Sequence, residues 1–244
     1  GYSGYLLRDA PEKVLQFGEG NFLRAFVDYW FDVSNEKAGW NGKCVLVQPI
    51  PQGLASPINR QKGLYTLYLR GRQNGNKVDR KRVISSVSRC LNPYEAEDYA
   101  AMMALAVSDD LEYVVSNTTE AGIVYDPACK PDDAPPASFP AKLTQVLYAR
   151  WKAGRPGLVI LSCELIDNNG RELLRCVNRY IDQWALEPEF RTWVMGECTF
   201  CSTLVDRIVP GRVKDPIEAA AMEAANGHDY TKSGGSENWS RTYR

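Results

Sequence analysis

A short apolar strand that runs through two glycines straight into a helix leaves a chain few folds to choose from. Lys13-Val14-Leu15-Gln16-Phe17 reads as a buried strand and Gly18-Glu19-Gly20 as the turn. Phe22, Ala25, Phe26, Tyr29, Trp30 and Val33 then recur at helical spacing until Gly39. The glycines stand where a dinucleotide-binding α/β domain places its phosphate turn. Gly20 has no Cβ to obstruct a pyrophosphate, and the free N–H groups and dipole of the helix start attract an anion. The third glycine of the common G-x-G-x-x-G pattern is replaced by Leu23. On spacing alone, a tight strand-to-helix turn that binds nothing therefore stays open. Arg24, one turn into the helix, has the length to reach a phosphate or a nearby carboxylate.

The rest of the chain repeats the strand–helix alternation. Lys43–Gln48 is a second apolar strand, stopped by Pro49 and Pro51. Gly63–Leu69 and Val83–Val87 alternate about a Gln73-Asn74-Gly75-Asn76 turn and read as an inserted antiparallel hairpin. A helical pattern over Tyr94–Ser108 precedes a strand at Leu111–Ser116. A loop rich in Asp and Pro follows, then a helix from Pro140 to Lys152, a strand at Leu158–Ser162, and helices over Arg171–Ala185 and Pro188–Val194. Ser202–Ile208 begins as a polar turn and ends in an apolar run, and an Ala-rich helix starts at Ala219. Strands separated by helices need crossover connections, which predicts a doubly wound, mainly parallel sheet with helices on both faces.

Composition removes several functions. Twenty-nine basic against thirty acidic residues give a net charge of −1, so no electrostatic case for nucleic acid or an anionic membrane follows. The longest apolar runs are far too short to span a bilayer, and no basic-then-apolar signal peptide is visible at the N-terminus. Seven scattered cysteines read as reduced packing thiols, which points to the cytoplasm. Cys198-Thr199-Phe200-Cys201 is formally a CxxC, without the second ligand pair that zinc needs, and no metal site is predicted. The one histidine, His228, lies near the C-terminus, which argues against a histidine-based triad.

Open parallel sheets bind ligands at the C-terminal ends of their strands. Three polar clusters fall there: Asn117-Thr118-Thr119-Glu120-Ala121-Gly122, Cys163–Gly170, and Leu204-Val205-Asp206-Arg207. Each taken singly reads as a turn or a cap, with Asn169-Gly170 a good turn dipeptide. Together, facing a glycine turn, they support a nucleotide-binding domain without specifying a reaction. The second strand ends in Gln48-Pro49 where an acid would bind the adenosine ribose of NAD. Gln48 can hydrogen-bond a hydroxyl but would not strongly reject a 2′-phosphate, so NAD against NADP stays open.

The string Leu15-Gln16-Phe17-Gly18-Glu19-Gly20-Asn21-Phe22-Leu23-Arg24-Ala25-Phe26 resembles the nucleotide loop of the long-chain mannitol dehydrogenase family, and most of all its tagaturonate-reducing uronate branch. Ser116–Ile123, Asp132-Asp133-Ala134-Pro135 with Phe139–Thr144, Ser162–Ile166 with Asn169-Gly170, and Cys201–Val209 match the same family in order. The resemblance implies a Rossmann-like domain with an inserted hairpin. It also implies a cytoplasmic, NAD-dependent enzyme reducing the keto-uronate tagaturonate to altronate. The alternatives are a fructuronate or polyol dehydrogenase of the same family, or a non-catalytic nucleotide-binding module. By the same resemblance Leu15–Phe26 holds the cofactor, Asn117 and Glu120 lie near nicotinamide and substrate, and Asp206 lies close to the substrate. The family's alkoxide-stabilising Asn falls at Leu165, which leaves Asn169 as the substitute candidate. Residues 1–12 are read as a leader, 13–215 as the dinucleotide domain and 216–231 as the start of a helical domain otherwise missing here. Residues 232–244 are read as a disordered or appended tail. The family's catalytic Lys, Asn and His belong to that missing domain, so this chain alone is expected to bind dinucleotide weakly and catalyse little.

Overall fold

A computed structural model describes residues 2–119, 121–205, 207–211, 213, 215–226 and 240–242. The main sheet has six strands, all parallel: β1 (Glu12–Phe17), β2 (Lys43–Val47), β5 (Val87–Leu91), β6 (Tyr113–Ser116), β7 (Val159–Ser162) and β8 (Thr199–Ser202). Their spatial order is β5-β2-β1-β6-β7-β8. The order reverses between β1 and β6, and this is where a doubly wound sheet opens a crevice. A second sheet pairs β3 (Tyr65–Gln73) and β4 (Asn76–Ile84) as an antiparallel hairpin, with β9 (Ser240–Thr242) parallel along β3.

Side chains alternate across the main sheet and build a core on each face. Leu15, Phe17, Val45, Val47 and Val114 face α3 (Ala96–Ala106), α4 (Phe139–Lys152), α5 (Asn169–Gln183) and α6 (Pro188–Glu197). Val14, Cys44, Leu46 and Val115 face α1 (Asn21–Ala38), α2 (Ala55–Arg60) and the hairpin. The doubly wound, Rossmann-like fold is therefore as the sequence predicts. A last helix, α7 (Pro216–Asn226), meets the hairpin through an Arg70–Glu218 ion pair. No helix among the described residues is long and apolar enough to cross a membrane.

Three local expectations are corrected, and the reading of the CxxC as free thiols stands. The stripe Phe22, Phe26, Tyr29 and Val33 is only half-buried and Trp30 is exposed; α1 buries Leu23, Arg24, Ala25, Asp28, Asp32 and Asn35 instead. Asn35 on that face pairs with Gly42; the rest of it is polar because the hairpin and the Ser85-Ser86 corner supply partners for it. Arg82 pairs with Asp32 and Glu36, Ser85 donates its N–H to Asp32 Oδ1 at 2.7 Å, and Ser86 Oγ donates to Asp28 O at 2.7 Å. The hairpin arm stops at Ile84, and Val87–Leu91 turns back into the main sheet as β5. The CxxC stretch contributes the strand β8. Residues 198 and 201 along an extended chain stand about 10 Å apart, out of disulfide reach, and all seven cysteines are free. Finally, Asn169-Gly170 is no turn but the first turn of α5, entered through Asn168 at φ +55°.

Candidate functional site

The phosphate-type turn has the geometry its sequence predicts. Gly18 sits at φ +118°, and a Cβ there would lie 2.7 Å from Asn117 O, so the strand can leave the sheet here only through glycine. Its N–H donates to Val47 O at 2.9 Å. Gly20 is the N-cap of α1, with no side-chain cap and no acid in the first turn. A Cβ on Gly20 would meet nothing within 4 Å. Unfilled helix-start N–H groups beside an open glycine fit a pyrophosphate. Arg24 does not point outward to it. The side chain is buried, Nη2 donates to Asn21 Oδ1 at 2.7 Å, and the guanidinium lies 5.4 Å from the Tyr65 ring.

The segment after β2 closes over this turn. Gln48 is buried and its amide is committed: Nε2 donates to Ile50 O and Pro51 O, both at 2.9 Å, and Oε1 accepts from Ala55 N at 3.2 Å. Gln48 thus shapes the 50–55 loop rather than offering its amide to a ribose. Glu19 accepts from Leu54 N at 3.4 Å, and burial raises its carboxyl above the ordinary range. Gly53 packs against both carboxyl and amide, with space there for no Cβ.

At the ends of β6 and β7 the polar clusters do come together. Asn117 Nδ2 donates to Cys163 O at 2.6 Å, tying the two neighbouring strand ends on one side of the crevice. Buried Glu164 accepts from Ser116 Oγ, Thr118 N and Thr118 Oγ1, each at 3.1 Å. Glu164 was not singled out from sequence, although a carboxylate directly after a buried strand is a readable signal. Asn117 lines a cavity of about 420 Å³ with Phe22, Thr119, Leu165, Val205, Arg207 and Ile208. Leu165 is exposed there, and the Arg207 guanidinium lies over the Phe26 and Tyr29 rings. Glu120 and Asp206 lie outside the described residues.

The expectation that Asn169 serves the substrate is corrected. It is fully buried; Nδ2 donates to Glu164 O and Thr203 O at 2.8 and 3.0 Å, while Oδ1 accepts from Gly170 N and Thr203 N at 2.8 and 3.0 Å. With both donors and both lone pairs used, it is a clamp between the β7–α5 corner and the segment after β8. Lys142, on α4, is buried. It donates to Ala137 O at 2.9 Å and Tyr94 Oη at 3.3 Å, and burial pushes its ammonium down to about 8. It does not line the crevice cavity.

The "Mannitol dehydrogenase Rossmann domain" family matches residues 12–224. An altronate oxidoreductase of Phocaeicola vulgatus is 47% identical over 213 residues, covering 86% of this chain and 44% of its own length. The altronate oxidoreductase of Bacillus subtilis is 45% identical over 212 residues, 85% of this chain and 44% of its own length. The chain thus spans under half the length of these curated relatives. Among solved structures, the Pseudomonas fluorescens mannitol 2-dehydrogenase ternary complex with NAD and D-mannitol superposes with a TM-score of 0.79. It is 20% identical, covering 98% of this chain and 49% of that one. A substrate-free D-sorbitol dehydrogenase gives 0.74 at 21% identity, with 96% and 49% covered. At such identities the last two speak for the fold alone.

Proposed function

The chain belongs to the mannitol dehydrogenase family, and from that premise we propose that it is the cofactor-binding half of an NAD-dependent oxidoreductase interconverting tagaturonate and altronate. One observation carries the reading. An uncapped helix start beside the open Gly20 faces the crevice at the strand reversal, in a chain 45–47% identical to altronate oxidoreductases. The relatives' names favour the uronate over a polyol as substrate.

Bound NADH would supply the hydride for the keto carbon, and the carbonyl oxygen would take up a proton. Within Leu15–Phe26, the turn through Gly20 and the free N–H groups at the start of α1 would hold the pyrophosphate, while Gly18 fixes the turn against β2 and Asn117. Asn117 and the neighbouring Thr119 wall the nicotinamide end, with Glu120 and Asp206 beside the substrate. Leu165 and Ile208 present apolar surface that excludes water around a transferring hydride. The proton donor belongs to the part of the enzyme beyond these residues, and the work is done in a reducing cytoplasm where the free thiols persist.

Titration with NADH and with NADPH, followed by fluorescence of the six tryptophans with tagaturonate turnover assayed in parallel, tests this. Saturable NADH binding with little turnover is expected. A folded chain that binds neither nucleotide would overturn the assignment and favour a non-catalytic module.

A further inference from the structure

We propose that Asp28 is carried as a carboxylic acid, paired through both oxygens with the Gln16 carboxamide, and that this buried pair positions the Gly18 turn. The second half of this rests on the nucleotide reading of that turn; the first half stands without it.

Gln16 is on β1 and Asp28 on α1, and neither is exposed to solvent. Gln16 Nε2 lies 3.5 Å from Asp28 Oδ2 and donates to Gly18 O at 3.2 Å. Both amide hydrogens are thereby used. Two acceptors remain without a partner in the same place: Gln16 Oε1 and Asp28 Oδ1. An ionised carboxylate cannot satisfy them, because it brings only acceptors. One proton taken from solvent onto Asp28 Oδ1 answers both. That hydroxyl donates to Gln16 Oε1 while Gln16 Nε2 donates to Oδ2, closing a two-bond acid–amide ring. Leaving two buried acceptors unmade instead carries a desolvation cost for each.

On α1, the Arg24 guanidinium favours the ionised form and the Asp32 carboxylate opposes it; Asp32 is itself held by Arg82 and Ser85. From β3, Tyr65 Oη donates to Arg24 O at 2.7 Å and lies 3.3 Å from Asp28 Oδ2. From β2 and β5, the Cys44 and Cys90 thiols face the carboxyl. Burial outweighs Arg24 and pushes the Asp28 carboxyl up to about 7. Downstream, the pair fixes the carbonyl of a glycine at φ +118° whose N–H is already bound to Val47. The turn is therefore held at both ends of one residue, and loss of the Asp28 proton loosens one of them.

Asp28→Asn tests the pair, because its amide donates to Gln16 Oε1 and keeps the ring without a titrating proton; Asp28→Ala removes it. Wild-type chain at about pH 6 is expected to show the infrared carbonyl band of a protonated carboxyl, lost by about pH 9 and missing from Asp28→Asn. NADH affinity should fall several-fold over that range in wild type, stay flat in Asp28→Asn, and be weak throughout in Asp28→Ala. Absence of the band at about pH 6 overturns the proposal, as does an identical pH profile of thermal stability in wild type and Asp28→Asn. The infrared titration of the wild-type chain holds even if Asp28→Ala fails to fold. No NADH binding at any pH would defeat the nucleotide reading and the positioning role with it, leaving the band and the stability profile to decide the pair.

Discussion

Gly18 and Gly20 are two residues apart and glycine for different reasons, so their substitutions separate folding from binding. Gly18 is glycine because its backbone is left-handed and Asn117 O is 2.7 Å from where a Cβ would stand. Gly18→Ala should cost about 1–3 kcal/mol of stability, read by denaturant unfolding. Gly20 has ordinary backbone angles and open space around its Cβ direction. Gly20→Val should cost under about 1 kcal/mol yet weaken NADH at least about tenfold, roughly 1.4 kcal/mol, by titration. At this scale the turn was legible, since two glycines between a strand and a helix have few uses. The buried polar stripe was not. Arg24, Asp28 and Asp32 do recur at helical spacing, but nothing in one sequence says that a hairpin some forty residues later will bring Tyr65 and Arg82 to them.

Strands that are continuous apolar runs were readable even when short, and elements without such a run were not. The sequence pattern marked β1, β2, β6 and β7 to within a residue or two at their ends, because each is an apolar run bounded by turn chemistry. Strand β8 is as short as β6 and β7 but lacks their apolar run: Thr199 and Ser202 flank a half-buried Phe200-Cys201 centre that includes a cysteine of the CxxC. Helix α2 is six residues wedged behind two prolines. The Asn169 clamp makes β8's corner an element-level feature, as it joins the start of α5 to the backbone of Thr203. Asn169→Ala should cost about 2–4 kcal/mol, since four buried backbone groups lose their partner together. Hydrogen exchange should show the loss concentrated in β8 and the first turn of α5, with the β1–β2 pair unaffected. A uniform loss of protection across all six strands would contradict a local clamp.

Across the whole molecule, the sheet is insulated on both faces, and the thiols report on it. Five cysteines are buried within the two cores or beside them, and Cys198 and Cys201 are half-buried. A thiol reagent should label at most those two in the folded protein and all seven after unfolding; a third fast-reacting thiol would show that one face opens. Whole-molecule architecture was the most legible level, because strand–helix alternation leaves only a parallel sheet with crossovers. What the strand order itself imposes concerns time rather than structure. Strand β1 is an inner strand of the sheet and is synthesised before both of its neighbours. One side of Val14–Phe17 can be taken as soon as Lys43–Val47 emerges, but the other must wait until Tyr113–Ser116 has been made. At a synthesis rate of about 5–20 residues per second, an apolar strand edge stands open in the nascent chain for several seconds. During that interval the protein depends on its cellular company, since any strand at hand can take the place reserved for β6.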